Sequence, residues 1–171
     1  MEPQAESAFA AFVDDSWTSL VRAAVFLGAS PSDADDIAQT TVIRCYRGWE
    51  KVSGADNRDA YVYRMLLHCL RDHQRTSWWR LRSPSPPDPH GPAGPDESAR
   101  IEMADAVHRA LEVLPRAQRE VVVLRYFVQL TEAQTAATLG IAAGTVKSRL
   151  SRSLARLASD PHLLDLTGGT R

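Results

Sequence analysis

Apolar residues recur at helical spacing along most of the chain, with polar residues between them. The first stretch extends from Phe9 to Leu27, and Gly28 directly after it predicts the end of a helix. A second helix is predicted to begin at Ser30–Asp33 (SPSD), because serine caps helices and proline fits the first helical position. A third is predicted from about Ala60 to Trp79. Every element that the pattern predicts is helical.

The second predicted helix has an apolar and a polar face. The polar face carries Asp36, Gln39 and Arg47, and Ile43 lies among them as the one apolar member. A single exposed isoleucine usually has no special role, but one surrounded by polar side chains can anchor a protein contact. Both interpretations of Ile43 are open on this evidence. The inward face is predicted to comprise Ala34, Ile37, Ala38, Thr41, Cys45 and Trp49.

The third predicted helix combines an apolar stripe with a cationic face. Cations at helical spacing beside Trp78 and Trp79 suit a single nucleic-acid strand, because the charges can contact the backbone and the flat rings can stack on bases. The alternative is that the tryptophans close the core of the domain, and we expect this of at least one. The stripe comprises Val62, Met65, Leu66, Cys69 and Leu70, and the cationic face comprises Arg64, His68, Arg71 and Arg75.

Two segments are predicted to be non-helical. The polar segment Glu50–Asp59 (EKVSGADNRD) is predicted to be a loop between the second and third helices. Six prolines between residues 83 and 95 forbid a helix and favour an extended, semi-stiff linker. This linker divides the chain into residues 1–82 and 96–160, and residues 161–171 form a tail.

The second part of the chain begins with another predicted helix. Leu114-Pro115 breaks it, and Pro115 can sit in the first turn of the helix that follows. The apolar face of the first helix comprises Ile101, Ala104, Val107, Leu111 and Leu114. The next helix supplies Val121, Val122, Leu124 and Phe127, on which the following motif is predicted to pack.

A helix-turn-helix is predicted near the end of the chain. Thr131 is a good N-cap for a short helix that extends through Leu139. Gly140 then allows the left-handed backbone with which many helices end. After the turn Ile141–Ala143, a second helix is predicted to start near Gly144.

The second helix of this motif carries an arginine stripe and no acidic residue, since neither Asp nor Glu occurs between Glu132 and Asp160. Arginine can contact phosphates or guanine edges, and short hydroxyls can bond to either. The alternative is a solvated cationic face; the turn and the missing acids favour DNA binding. The outer face comprises Thr145, Ser148, Arg149, Arg152 and Arg156, and the inner face Val146, Leu150, Leu154 and Leu157.

The net charge of -1 conceals an uneven distribution. Residues 1–50 hold three basic and eight acidic residues, whereas the rest of the chain is basic overall. An acidic front followed by basic stripes indicates two different partners. The two cysteines make no disulfide framework, and no signal peptide or membrane-spanning run is visible, which favours a reducing cytosol.

Three stretches resemble bacterial RNA polymerase sigma factors of the extracytoplasmic-function (ECF) type, in a subgroup common in actinobacteria. LPRAQREVVVLRYFVQLTEAQTAATLGIAAGTVKSRLSRSLARL is similar to region 4 of that family. DADDIAQTTVIRCYRGW is similar to the region 2 helix, and AYVYRMLLHCLRDHQR to the helix after it. GTVKSR alone also occurs in other helix-turn-helix regulators. A region 2-like stretch followed by a region 4-like stretch in one chain is highly specific for the sigma factor family.

The resemblance implies a fold and a function. It implies an all-α protein of two small helical domains, with region 2 over residues 1–82 and region 4 over residues 96–160. It also implies that this protein directs promoter-specific transcription initiation. Region 2 would dock on the clamp helices of the polymerase through Asp35, Asp36, Gln39, Ile43 and Arg47. It would recognise and melt the minus-ten element through Lys51, Asn57, Arg58, Arg64, His68, Arg71, Arg75 and Trp78, with the Lys51–Asp59 loop capturing a flipped base. Region 4 would recognise the minus-thirty-five element through Thr145, Lys147, Ser148, Arg149, Arg152 and Arg156.

The implied partners are core RNA polymerase, including its flap, promoter DNA, and an anti-sigma factor. No catalytic residue, cofactor, metal, membrane or small-molecule substrate is expected, and the expected location is the cytoplasm, with polymerase on the nucleoid. Two departures from the family stand out. His68 occupies a position where the family often has asparagine, and Ala142-Ala143 replaces a more usual capping residue.

Two other classes of function compete with this interpretation. A stand-alone helix-turn-helix regulator would generally dimerise on symmetric half-sites, but it leaves the first half of the chain unexplained. A metal protein could gather His68, Cys69, His73 and Cys45, although His68 and Cys69 point to different helix faces and no CxxC spacing occurs. No phosphate-binding glycine loop or nucleophile motif supports an enzyme.

Overall fold

The computed structural model describes residues 3–80 and 106–159, with side chains described through Thr76 in the first range. All elements in these ranges are helical, so the predicted all-α fold is confirmed. An N-terminal unit contains α1 (Pro3–Phe26), α2 (Pro31–Arg47), α3 (Trp49–Ser53) and α4 (Arg58–Arg80). A C-terminal unit contains α5 (106–112), α6 (Arg116–Val122) with a π-helical turn (Val123–Phe127), α7 (Glu132–Leu139) and α8 (Ala143–Ala158).

Several sequence predictions fall outside the described residues. They are the proline-rich linker over residues 83–95, the tail over residues 161–171, and the beginning of the helix that includes Ile101 and Ala104. The side chains of Trp78 and Trp79 are also outside the described set.

The pairing of α2 with α4 forms the centre of the N-terminal unit. The two helices run antiparallel, since Sγ of Cys45 lies 3.8 Å from Sδ of Met65 while Asp33, at the other end of α2, contacts His73. Ser30 caps α2 as predicted, because its hydroxyl accepts a hydrogen bond from the Asp33 amide at 3.1 Å. All the residues predicted to face inward from α2 are buried: Ala34, Ile37, Ala38, Thr41, Cys45 and Trp49.

The predicted loop over Glu50–Asp59 is partly wrong. Helix α3 occupies its first part, and α4 already begins at Arg58, which leaves only residues 54–57 outside a helix. Trp49 and Val52, three residues apart, are 6% and 0% exposed, so their burial stabilises one helical turn inside a polar sequence. Asn57 then caps α4 by accepting a hydrogen bond from the Ala60 amide at 2.7 Å.

The helix-turn-helix forms as predicted. Thr131 and Gln134 make a reciprocal capping box at the start of α7: Thr131 Oγ1 accepts from the Gln134 amide at 3.2 Å, and Gln134 Oε1 accepts from the Thr131 amide at 2.7 Å. Gly140 ends α7 in the left-handed conformation, with φ of 66°. Ala142 is the N-cap residue of α8 and has no side chain that could cap it.

The π-helical turn changes the predicted role of Phe127. Val121, Val122 and Leu124 are buried as predicted, but Phe127 is 42% exposed and does not lie beneath the helix-turn-helix. A π-helical turn holds more residues than an α-helical one, and it therefore rotates the residues after it relative to the α-helical register. Phe127 instead packs against Phe26 at the end of α1, with ring centroids 4.4 Å apart and the ring planes tilted by 50°.

The predicted inner face of α8 also needs a correction. Val146 is fully buried and Leu150 and Leu157 are half-buried, but Leu154 is 40% exposed. At about 100° per residue, Leu154 lies about 80° from Val146 around the helix, whereas Ser153 lies within about 20° of it. Ser153 takes the buried position, and its hydroxyl donates to the Arg149 carbonyl oxygen at 2.7 Å, which satisfies the buried polar group.

The two units pack on each other. The Phe26–Phe127 contact joins α1 to the π-helical turn, and the Thr138 hydroxyl of α7 donates to the Ala60 carbonyl oxygen of α4 at 3.3 Å. A single cluster of buried apolar side chains contains members from both units. Helix α4 contributes Tyr63 and Leu67 to this cluster, at 8% and 1% exposure, beside its predicted stripe.

The turn after α1 favours glycine, mainly through its backbone conformation. Gly28 has a φ of 104°, which side chains disfavour, and a Cβ built there would lie 2.7 Å from Nη1 of Arg119. Arg119 is itself held by the end of α5, since it donates to the carbonyl oxygens of Leu111 at 2.8 Å and Glu112 at 3.0 Å. The loop of one unit and an arginine of the other therefore approach closely.

Candidate nucleic-acid and protein interfaces

Helix α8 presents its cationic face to solvent. Lys147, Ser148, Arg152 and Arg156 are exposed, while Thr145 and Arg149 are half-buried. Within residues 3–80 and 106–159, none of the lysine and arginine side chains of this face forms an ion pair. Arg152 lies along its own helix, donating to the carbonyl and hydroxyl oxygens of Ser148 at 3.1 and 3.2 Å. The predicted stripe is thus available to a polyanion.

The N-terminus of α8 adds to this surface. Among the residues that the structure describes, no side chain caps it, so the amides of its first turn lack a side-chain acceptor there, and this end of a helix is favourable for anions. In a helix-turn-helix, the N-terminal residues of the second helix contact base edges in the major groove. The missing cap noted in the sequence therefore lies where a phosphate or base could accept these hydrogen bonds.

The four cationic residues of α4 share one face, but they differ in their surroundings. Arg64 and His68 are exposed. Arg75 donates to Asp72 Oδ1 at 3.0 Å and remains 78% exposed. Arg71 donates to both carboxylate oxygens of Glu120, each at 3.3 Å.

Asp72 connects this face to α2. Its carboxylate accepts hydrogen bonds from Arg44 and Arg75, both at 3.0 Å. The hydrogen bond from Arg44 is the main reason why the pKa of Asp72 lies below its ordinary value. Sequence reasoning missed this residue, although an acid between Arg71 and Arg75 on a cationic helix was a visible signal.

The corner between α3 and α4 holds the other residues predicted to contact the minus-ten element. Lys51 is exposed on α3, and Arg58 lies in the first turn of α4 with its guanidinium 5.5 Å from the centre of the Phe12 ring. Asn57 uses its carbonyl oxygen as the cap of α4, so its amide group is the part left for a ligand. These three residues lie on α3, on α4 or in the short segment between them. The side chain of Trp78 is not among those that the structure describes.

The outer face of α2 is exposed as predicted. Ile43 is 44% exposed among Asp35, Asp36, Gln39 and Arg47, all of which are exposed. Sequence reasoning missed Tyr46, three residues after Ile43, which is 48% exposed and packs edge-on against Phe9 at 5.1 Å. Two large apolar side chains on a polar helix face are a stronger signal of a protein contact than one.

In the described part of the chain, no group of three or more His, Cys, Asp or Glu residues could hold a metal. Cys45 and Cys69 are both buried free thiols. Burial, with a smaller contribution from Cys69, raises the pKa of Cys45 to about 11, which opposes thiolate chemistry. Among these residues, no helix is long and apolar enough to cross a membrane.

Glu120 is the functional candidate that the sequence did not reveal. It is 6% exposed, and it lies between Arg71 of α4 and Arg116 of α6, whose Nε donates to Oε1 at 3.0 Å. A buried carboxylate is costly unless it is paired, and here two arginines pair it. One of those arginines belongs to the other unit, which no local sequence pattern could indicate.

Comparison with known proteins agrees with this organisation. Residues 17–80 match the sigma-70 region 2 family, and residues 104–157 match the sigma-70 region 4 family. An RNA polymerase sigma-E factor of Streptomyces coelicolor is 38% identical over 161 residues, covering 92% of this chain and 88% of that protein. The ECF RNA polymerase sigma factor SigM of Mycobacterium tuberculosis is 35% identical over 143 residues, which cover 81% of this chain and 69% of that protein. The solved structure of CnrH in complex with the cytosolic domain of CnrY aligns with a TM-score of 0.67 and 27% identity. The alignment covers 94% of this chain and 90% of the CnrH chain.

Proposed function

The chain belongs to the ECF group of sigma-70 factors, which direct transcription initiation by RNA polymerase, and from this premise we propose how its surfaces divide that work. The N-terminal unit, within residues 1–82, docks on core polymerase and recognises the minus-ten element. The C-terminal unit, within residues 96–160, recognises the minus-thirty-five element. Residues 83–95 link them. The observation that carries the proposal is the pair of cationic helix faces, one on each unit.

Helix α8 recognises the minus-thirty-five element in the major groove. Lys147, Ser148 and Arg152 are exposed on its outer face, and the open amides at its N-terminus favour a phosphate. Arg149 and Thr145 are half-buried and close to the turn, where they can reach base edges. Arg156 lies two turns further on and contacts the backbone.

Helix α4 and the α3–α4 corner bind and help to melt the minus-ten element. Arg64, His68 and Arg75 hold one strand by its phosphates, and Trp78 offers a ring on which a base stacks. Taking a base out of the stack costs a few kcal/mol, which contacts around Lys51, Asn57 and Arg58 offset. Arg71 is also one of the residues that bind the minus-ten element.

The outer face of α2 docks on the clamp helices of the polymerase. Ile43 and Tyr46 supply apolar contacts, and Asp35, Asp36, Gln39 and Arg47 form a polar rim around them. The acidic N-terminal part of the chain matches a protein partner better than DNA. The flap of the polymerase is a second docking site, for the C-terminal unit.

Two weak DNA-binding units joined by a linker bind tightly when both elements are correctly spaced. The sigma factor supplies position and strand separation, and the polymerase supplies the chemistry, so we propose no catalytic group or cofactor in this chain. We further propose that it acts in the cytoplasm on nucleoid-bound polymerase. We also propose that an anti-sigma factor restrains it; the similar protein CnrH forms a complex with another protein, the cytosolic domain of CnrY.

Permanganate reactivity of unpaired thymines in a holoenzyme–promoter complex tests this division of labour. Arg152→Ala should lower promoter occupancy measured by footprinting, whereas Arg64→Ala should leave occupancy largely intact and reduce thymine reactivity around the start site. Arg109→Ala, which removes an exposed arginine on α5, is the control. If Arg64→Ala and Arg152→Ala impair the same step equally, the assignment of the two units is wrong.

A further inference from the structure

Asp72 is an acid on the cationic side of α4, and no other Asp or Glu occurs between residues 60 and 80. At about 100° per residue it lies about 60° from Arg75 around the helix, at one edge of the cationic face. The ion pair with Arg44 places this edge next to α2. A carboxylate repels a phosphate, so Asp72 alone would weaken the binding of DNA to α4.

Each oxygen of the Asp72 carboxylate accepts a hydrogen bond from a different arginine. Oδ2 accepts from Nη2 of Arg44 at 3.0 Å, and Oδ1 accepts from Nη2 of Arg75 at 3.0 Å. The hydrogen bond from Arg44 also lowers the pKa of Asp72, so the carboxylate is charged at neutral pH. The arginine of α2 therefore fixes the carboxylate, and the carboxylate fixes the arginine of the proposed DNA surface.

Arg75 keeps most of its surface open in this arrangement. Its side chain is 78% exposed although one of its nitrogens donates to Asp72. A guanidinium carries five N–H donors in a planar fork, so the donors that do not face Asp72 remain for a phosphate. An arginine that is already held in one position also loses less side-chain freedom when it binds a phosphate.

We propose that Asp72 is a positioning residue for promoter opening: fixed to α2 by Arg44, it holds the Arg75 guanidinium where that group meets the separated strand. The proposal rests on the proposed minus-ten role of Arg75. The charge of Asp72 weakens the first encounter of α4 with duplex DNA, whereas the fixed Arg75 speeds the later step in which one strand is held apart. The two effects act on different steps, so kinetics can separate them.

The test measures promoter opening by holoenzyme reconstituted with the full chain, as the rate at which thymines around the start site become reactive to permanganate. Rates at increasing holoenzyme concentration give a saturating rate and a half-saturating concentration. Asp72→Asn should lower the saturating rate by about fivefold or more, as expected when two coupled groups lose their contact. It should leave the half-saturating concentration unchanged or lower it, because removing an acid from a cationic surface strengthens its attraction to DNA.

Two further variants separate positioning from a general link between the helices. Asp72→Glu restores the carboxylate and should open promoters within about twofold of wild type. Asp33→Asn is the matched control, because Asp33 pairs with His73 at 3.0 Å across the same two helices and neither residue belongs to the proposed DNA surface. It should leave the saturating rate and the half-saturating concentration within about twofold of wild type. Circular dichroism confirms that each variant is folded.

Arg75→Ala identifies the group through which Asp72 acts. Arg75→Ala alone should slow opening, and adding Asp72→Asn to it should slow opening no further, because the positioned group is gone. If Arg75→Ala alone opens promoters normally, the minus-ten role of Arg75 is wrong and the proposal fails with it. If Arg75→Ala is slow but Asp72→Asn opens promoters as fast as wild type or faster, only the positioning role is wrong.

Two other results would also overturn the positioning role. One is a rise in the half-saturating concentration of Asp72→Asn that matches the fall in its saturating rate, which would indicate a general structural defect. The other is an equal slowing by Asp72→Asn with and without Arg75, which would mean that Asp72 acts through a different group.

Discussion

Arg44 of α2 and Asp72 of α4 form an ion pair at 3.0 Å that ties the proposed polymerase-docking helix to the proposed minus-ten helix. Asp72 also accepts a hydrogen bond from Arg75, so one carboxylate orients two cations from different helices. The side chain is 46% exposed and the pair is therefore open to solvent and salt. The pair links the two helices, and its stabilising effect on the fold is expected to be small because both side chains are exposed.

Asp72→Asn should make the unfolding of the chain less sensitive to acid. The folded state lowers the pKa of Asp72 below its ordinary value of 3.8, so its stabilising effect is present above that pH and is lost as the pH falls through the folded pKa. The thermal midpoints of wild type and Asp72→Asn should thus differ near neutral pH and converge below about pH 4. Asp15→Asn, at an exposed position of α1, is the control. A difference between wild type and Asp72→Asn that is the same at all pH values would show that the charge of Asp72 does not stabilise the fold.

Val146→Ala should destabilise the C-terminal unit by about 2 kcal/mol, because it removes two methyl groups from a fully buried site. Val146 packs against Val121 and Ala136 beneath the helix-turn-helix. Leu154→Ala on the same helix is the control and should cost less than about 1 kcal/mol, since Leu154 is 40% exposed. Urea denaturation followed by circular dichroism measures both, and equal losses would mean that the assignment of the inner face is wrong.

The helix-turn-helix was predictable because its signals are local. Thr131 and Gly140 act on their own neighbours, and the absence of acids on α8 is visible in one stretch of sequence. The burial of Ser153 in place of Leu154 was not predictable, because it depends on which side of α8 meets α6 and α7. A serine can occupy that site since its hydroxyl bonds to the preceding turn.

Contacts between the units were the least accessible to sequence analysis. Phe127 was predicted to support the helix-turn-helix, but the π-helical turn directs it to Phe26 instead. Glu120 follows Arg119 in a sequence that reads as an ordinary exposed turn of helix, whereas in the fold it is buried between Arg116 of its own helix and Arg71 of the other unit. Arg71 and Glu120 are 49 positions apart, across a linker that carries no pairing information.

Lys147→Ala should weaken promoter binding by the holoenzyme and make the negative slope of log K against log salt less steep by about 1, as expected for one lost phosphate contact. Arg152→Glu should go further and abolish promoter-specific initiation while leaving binding to core polymerase intact. Arg109→Glu, an equal charge change on α5, should leave initiation within about twofold of wild type. Loss of polymerase binding in Arg152→Glu would mean that α8 serves a different surface.

Ile43→Asp should weaken binding to core polymerase by about tenfold or more, because a charge replaces an apolar anchor in a desolvated contact. Ile43 is 44% exposed, so the free chain should keep its fold. Val113→Asp, at 38% exposure in the other unit, is the matched control for an apolar-to-acidic change. Competition binding to core polymerase, with circular dichroism on the free variants, separates a lost contact from unfolding.

The most direct test of the central claim is transcription in vitro by core RNA polymerase, with and without this chain, on a library of genomic promoter fragments. We expect transcripts to begin at a discrete subset of fragments only when the chain is present, and those fragments to share two sequence elements at a constant spacing upstream of the start. Initiation that is equal with and without the chain on every fragment would contradict the account.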